Sequence, residues 1–215
     1  MWNRTEDQIK LVLIRHGTTE SNREHRYLGK TDEPLGEEGI RALCKARNAG
    51  YYPKVRYVFS SPMKRCIQTA GILYPENAPV IIPEWEEMDF GDFEGKNYME
   101  LQGDVRYQEW IGSNGTLPFP GGESREAFLR RCDIGFRRMV EWLFGLTEME
   151  LCGEKTVAAV VHGGTIMALL SQYSGGDYFD YQVSNGEGYR CLFRVSYRKE
   201  GRIEKIQFAD IKKLL

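Results

Sequence analysis

The sequence predicts an α/β fold: a mostly parallel, doubly wound sheet with helices on both faces and an antiparallel hairpin at its C-terminal end. Three observations predict it. Short apolar runs of strand length alternate with stretches whose apolar residues recur at helical spacing, the pattern of a parallel sheet covered by helices. The last of the chain departs from that alternation and reads as two strands around a charged, glycine-containing turn. The 215 residues, 41% hydrophobic and 28% charged, suit one globular domain over residues 1–215 with a sizeable core.

The elements follow in order. "KLVLI", residues 10–14, is an apolar strand, and "EEGIRALCKARNAG" carries apolar residues at helical spacing. "VRYVFSSPMKRCIQTAGIL" reads as a strand to about Phe59, a serine pair, a proline suited to a first helical turn, and a helix to about Leu73. "PVIIP" is a short strand bounded by prolines. Residues 95–122 read as short helices and loop, with "NYMEL" and "RYQEWI" at helical spacing, "LPFPGGES" as a break, and no core pattern of their own. "SREAFLRRCDIGFRRMVEWLF" predicts a long amphipathic helix, Ser124 its N-cap, with Phe128, Leu129, Ile134, Phe136, Met139, Val140 and Leu143 along one face. "TVAAVV" is then a strand, "TIMALLSQY" a helix, and "YRCLFRVSY", "RKEGR" and "IEKIQFA" the closing hairpin.

Charge and composition narrow the function classes. A net charge of −2 and a pI near 6.0 supply no basic field for a polyanion, so nucleic acid is not an expected partner. The opening "MWNRTEDQIK" is charged where a signal peptide needs an apolar run, and no stretch approaches the roughly 18 apolar residues of a membrane span. A cytoplasmic protein is expected. Cys44, Cys66, Cys132, Cys152 and Cys191 are odd in number and scattered, which predicts reduced, mostly buried thiols and no metal site.

The chemistry is concentrated where apolar strands stop. "LVLIRHGTTESN" runs from core residues into Arg15 and His16, and "TVAAVVHGG" ends in His162 and Gly163. In open α/β sheets ligands bind beyond the carboxyl ends of the parallel strands, so both histidines are expected at one site. Arg65 falls in the first turn of the helix behind "FSSP". Two guanidiniums, two imidazoles and a helix N-terminus suit a phosphoryl group. Histidine is a competent nucleophile toward phosphorus when neutral, and neighbouring arginines should keep His16 neutral near pH 7, against an ordinary pKa of roughly 6.5. "PEWEEMDFGDFEG" offers Glu84, Glu86, Glu87, Asp89, Asp92 and Glu94 as candidate acids, whose pKa a bound dianion would raise.

"LVLIRHGTTESN", "FSSPMKRCIQTA", "EEMDFGDFEG", "FPGGES" and "VVHGG", in this order, resemble the histidine phosphatase superfamily, the phosphoglycerate mutase-like fold, from about Lys10 to Tyr173. The resemblance implies that His16 is the phosphorylated nucleophile, with Arg15, Arg65 and His162 completing the phosphate pocket. It implies contacts to phosphate from Asn22, from the backbone N–H of Gly163 and from Thr18, and it selects Glu87, four residues before the glycine of "GDFEG", as the acid. No metal or other cofactor is implied. Residues 95–122 correspond to the variable segment over the pocket mouth, where Tyr98, Tyr107, Trp110 and Phe119 either stack on a substrate ring or, as aromatics at helical spacing more commonly do, pack the segment down. His25 is expected at the surface; Arg23, Arg26 and Lys30 beside it either attract an anionic substrate or form a solvated loop.

Phosphatases and mutases of this family share the phosphohistidine. Mutases carry a longer insertion with an Arg-Arg pair, which "LQGDVRYQEWIGSNGTLPFPGGES" lacks, so water is the expected acceptor. "FPGGES" with "GDFEG" is most similar to the bacterial branch of broad-specificity phosphatases and of alpha-ribazole phosphatase of cobalamin synthesis. The expected partner is a small phosphorylated metabolite, possible substrates including alpha-ribazole 5'-phosphate, and the expected assembly a monomer or homodimer. A phosphoglycerate mutase-type transferase and a non-catalytic phosphate-binding module are the alternatives.

Overall fold

The computed structural model describes residues 6–145, 156–197 and 203–214. Its elements are β1 (Glu6–Arg15), α1 (Glu20–Arg23), α2 (Glu37–Asn48), β2 (Tyr57–Ser60), α3 (Lys64–Leu73), β3 (Val80–Ile81), α4 (Tyr98–Leu101), α5 (Val105–Gly112), α6 (Arg125–Phe144), β4 (Thr156–Val161), α7 (Gly163–Ser174), β5 (Gly188–Tyr197) and β6 (Ile203–Lys213). The six strands form one sheet in the order β3-β2-β4-β1-β5-β6. β1 to β4 run parallel, and β5 pairs antiparallel with both β1 and β6. The α/β, mostly parallel architecture with a C-terminal antiparallel pair is therefore the observed one; the hairpin turn "RKEGR" and Cys152 lie outside the described residues.

Period-two alternation along the strands divides the core between two faces. Leu11, Leu13, Phe59, Ala159 and Val161 pack with Phe128, Phe136 and Met139 of α6 and Leu169 of α7. Val12, Ile14, Val58, Ala158 and Val160 pack with Leu43 of α2 and Cys66 and Ala70 of α3. Burial on both faces is why these strands read as unbroken apolar runs.

Several elements differ from the sequence reading. β1 begins at Glu6, because Glu6–Ile9 pairs with β5 alone and needs no second apolar neighbour. Met63 is the N-cap of α3, so Pro62 precedes the helix instead of opening it. Ser124 caps α6 as expected, its side chain accepting from Ala127 N–H. Ile134, however, is 54% exposed. At about 100° per residue it faces away from the stripe that buries Phe128, Cys132, Phe136, Met139 and Leu143. Residues 95–122, without a core pattern of their own, join the common core: Leu101, Tyr107 and Phe119 are buried, Tyr107 and Phe119 against Tyr27 and Phe93 from outside the segment. Cys66, Cys132 and Cys191 are buried free thiols and Cys44 an exposed one. Among the described residues no helix is long and apolar enough to cross a membrane.

Candidate active site

The register of the two central strands assembles the site. Arg15 of β1 is paired with Val161 of β4, so the next residues, His16 and His162, leave adjacent strands side by side. His16 N–H donates to the Val161 carbonyl at 3.0 Å, and the two rings meet edge-on with centroids 5.2 Å apart. His16 Nδ1 lies 2.7 Å from the Gly17 carbonyl. A carbonyl only accepts, so Nδ1 carries the proton and Nε2 keeps its lone pair. The loop is fixed from α3: Gly17 N–H donates to Thr69 Oγ1, which donates to the Arg65 carbonyl. The His16 pKa is held well below the ordinary value, first by burial and then by Arg65 and Arg15. The arginines were expected to be the cause; burial is the larger one.

Both guanidiniums are held by backbone carbonyls. Arg15 donates to the Val183 carbonyl, and Arg65, wholly buried, to those of Thr31 and Gly29, at 2.8–2.9 Å. The Nε of each is buried without a partner, and among the described residues neither has a carboxylate within ion-pair distance. Buried cations without a counter-ion are costly unless an anion is to be received. His162, also fully buried, has Nε2 2.8 Å from Ser61 Oγ and Nδ1 3.7 Å from Glu87 Oε2. Its pKa is lowered by burial, Arg65 and His16. It is the N-cap of α7, whose first residues Gly163 and Gly164 line the cavity without a side-chain cap.

Of the acidic candidates, only Glu87 reaches this point. Glu84 pairs with Arg138, Asp89 with Lys30 and Asp92 with Arg106, while Glu94 accepts from the N–H groups of Gly29 and Thr31. Glu87 Oε1 accepts from Met88 N–H at 2.9 Å, and burial raises its pKa against the opposing pull of Arg65, Arg15 and Arg131. A side chain at Gly164 would press on it, since a Cβ there would stand 3.1 Å from Glu87 Oε1.

The remaining expected residues divide. Asn22 sits at the edge of the site: its Oδ1 accepts from Thr19 N–H and Asn185 Nδ2, leaving its own amide nitrogen as a donor. Thr18 enters through its carbonyl, which accepts from Gly36 N–H and anchors the start of α2. His25 is exposed, as expected. Arg23, Arg26 and Lys30 are each ion-paired, to Glu20 and Glu38, to Glu24 and Glu100, and to Asp89, which favours the solvated-loop reading. Trp110 and Phe119 line a cavity of about 580 Å³ together with Arg15, Glu87 and Gly163; Tyr107 is buried beneath them and Tyr98 lies apart, 58% exposed.

A sequence model of the histidine phosphatase superfamily (branch 1) matches residues 11–206. The chain belongs to this superfamily. An uncharacterised phosphatase, PhoE, of Bacillus subtilis is 33% identical over 172 residues, 78% of each chain. The 2,3-bisphosphoglycerate-dependent phosphoglycerate mutase 2 of Lactiplantibacillus plantarum is 29% identical over 83% of this chain and 90% of its own. Among solved structures, TTHB049 of Thermus thermophilus is similar at TM-score 0.60 and 32% identity, covering 93% of this chain and 99% of its own. The alpha-ribazole phosphatase of Shigella flexneri shares the fold at TM-score 0.70 and 24% identity, covering 94% of this chain and 96% of its own.

The site also uses residues that sequence reasoning missed. Arg131 of α6 forks onto Glu123 at 2.7 and 3.1 Å and donates to the carbonyls of Glu84, Glu86 and Glu87, clamping the peptide that carries Glu87. A signal was present: Arg131 falls in phase with the buried stripe of α6, three residues after Phe128. Asn185 donates to the His16 carbonyl and to Asn22 from a loop with no local pattern to mark it. Ser61, which holds His162, is the second serine of "FSSP".

Proposed function

We propose that the protein hydrolyses small phosphomonoesters through a phosphohistidine at His16. The observation that carries this reading is a pair of guanidiniums, Arg65 wholly buried and Arg15 partly so, without carboxylate partners among the described residues, beside a neutral histidine whose Nε2 is free to attack. In the first step Nε2 forms a bond to phosphorus as the ester P–O bond breaks, and Glu87 gives its proton to the leaving oxygen. In the second, water attacks phosphorus, Glu87 takes its proton, and the N–P bond breaks to return neutral His16. Arg15, Arg65 and the N–H of Gly163 hold the equatorial oxygens. His162 adds a contact through Nδ1, its Nε2 being engaged by Ser61. Asn22, at the edge of the site, offers its amide nitrogen as a further donor. The positive charge that phosphoryl transfer needs is supplied by side chains, and among the described residues no cluster of His, Cys, Asp and Glu is placed to hold a metal ion.

The lack of an Arg-Arg pair in residues 95–122 favours water over a bound acceptor, since a mutase must hold its acidic product in an enclosed pocket with a second anchoring site. The name of the Shigella flexneri neighbour makes alpha-ribazole 5'-phosphate the first compound to assay, in a cytoplasmic setting consistent with the buried free thiols. Denaturing acid and neutral gels after a brief reaction with a labelled phosphomonoester test the reading. An acid-labile phosphoprotein, lost in His16→Ala together with phosphate release, is expected. Near-normal turnover in His16→Ala would overturn it. Transfer to 3-phosphoglycerate primed by its bisphosphate would favour the mutase, and ligand binding without turnover a non-catalytic module.

A further inference from the structure

We propose that the substrate's leaving group is apolar and ring-bearing, seated on an aromatic wall beside the phosphate pocket; this rests on the phosphomonoesterase reading above. The wall is built from three segments. Phe90 follows the peptide that carries Glu87, Trp110, Ile111 and Phe119 come from residues 95–122, and Tyr178 and Phe179 come from the turn after α7. All six line the cavity that Arg15, Glu87 and Gly163 also line, so a molecule with its phosphoryl group at His16 extends along them.

Two features mark this wall as a ligand surface and not as ordinary packing. Ile111 is 46% and Phe179 49% exposed although both lie on a cavity, and large apolar side chains left open in a cleft commonly mark a binding site. The wall is also held in place before anything binds: Trp110 and Phe119 have ring centroids 4.6 Å apart, and Phe90 and Phe119 5.0 Å apart at 81°. Rings fixed in this way lose little freedom when a ligand lands on them.

The polar groups in this part of the cavity are few. Arg125 donates to the Asn114 carbonyl and lays its guanidinium over the rings of Tyr178 and Phe179, 5.5 and 5.2 Å from their centroids. It has no carboxylate within ion-pair distance among the described residues and presents a flat cationic face, which an aromatic ring can stack on. A polyol or glycerate would need a partner for each hydroxyl, and apart from the ring-borne polar atoms of Tyr27, Trp110 and Tyr178 the neutral polar side chains lining the cavity are Asn114 and Gln182. Leaving such hydroxyls unpaired against six apolar side chains is unfavourable; covering the same side chains with a ring is favourable.

The test compares kcat/KM for benzyl phosphate, n-hexyl phosphate and glycerol 3-phosphate. All three release an alcohol, so the chemical step is matched. Covering an apolar area of about 100 Å² predicts benzyl over glycerol by roughly 50-fold, with hexyl between. Phe179→Ala, at a half-exposed position where folding is safe, should lower the benzyl-to-glycerol ratio by about fivefold, and Trp110→Ala by more. A ratio near one, hexyl equal to benzyl, or a ratio unmoved in both variants would overturn the assignment. Phosphohistidine forming equally from all three esters sinks this inference and leaves the phosphatase reading intact. No phosphohistidine on His16 from any ester sinks both.

Discussion

Replacing Arg131 by methionine separates the positioning of the acid from the binding of phosphate. Arg131 makes five hydrogen bonds, two to the Glu123 carboxylate and three to the carbonyls of Glu84, Glu86 and Glu87, with three-quarters of its side chain covered. Methionine fills a similar volume and makes none of them. Removing one partner of a largely buried, hydrogen-bonded ion pair costs about 3 kcal/mol, which for a chain of this size lowers Tm by roughly 6–12 °C. The larger effect is expected in chemistry. A Glu87 displaced by about 1 Å loses on the order of 10² in the step that needs its proton. Single-turnover phosphorylation of His16 from an alkyl phosphate and from 4-nitrophenyl phosphate reads this directly, because nitrophenolate leaves without a proton. The alkyl ester should slow by about two orders of magnitude and the nitrophenyl ester far less, with KM little changed. Equal losses with both esters would show a general loss of the site. No loss with either, in a folded variant, would show that the clamp does not position Glu87. Arg131→Lys, which keeps the charge and can replace only part of the fork, should fall between wild type and methionine.

Acid should unfold the protein through its two site histidines. Both have folded pKa values below the unfolded value of about 6.5, so the unfolded chain binds more protons as pH falls and stability drops by about 1.4 kcal/mol per pH unit for each. Glu87 acts in the opposite sense: its raised pKa favours the folded state at low pH, and that contribution is lost as pH rises from about 4.5 through its folded value. Urea unfolding of wild type and His16→Asn between pH 7.5 and 5.5 should show a slope reduced in the variant, and a flat wild-type profile would refute the assignment. Orthophosphate at 100 times its Kd should add about 2.7 kcal/mol to stability, an increment lost in Arg65→Met and measurable by thermal shift. Gly188→Ala should destabilise strongly, by about 3 kcal/mol or more, because its Cβ would stand 1.9 Å from the Leu13 carbonyl oxygen of the adjacent strand. Gly71→Ala, in α3 with nothing within 4 Å, should instead stabilise by about 0.5–1 kcal/mol in the same unfolding assay.

What the sequence determined by itself was local or repeated in short motifs. The strand runs, the phase of most helices, the Ser124 cap and the strand-end placement of Arg15, His16, His162 and Gly163 follow from spacing among near neighbours, because the strand and helix periods are set by backbone geometry alone. Glu87 was separable from Glu86 only through the resemblance; its distinction in the structure is that it alone of the acidic run is buried beside His162. Tertiary structure decided the rest. Ile134 is apolar enough for the core but faces away from it, and the two readings of Arg23, Arg26 and Lys30, substrate attraction or solvated loop, are separated by the carboxylates that the fold sets beside them. Arg131 with Glu123, Asn185 with Asn22, and the aromatic wall join residues brought together by sheet register and helix packing across separations of 8 to 163 residues. The same holds for the dominant influence on His16: a charged neighbour can be read beside it in "RHG", whereas burial belongs to the assembled site and exists only once both faces of the sheet are covered.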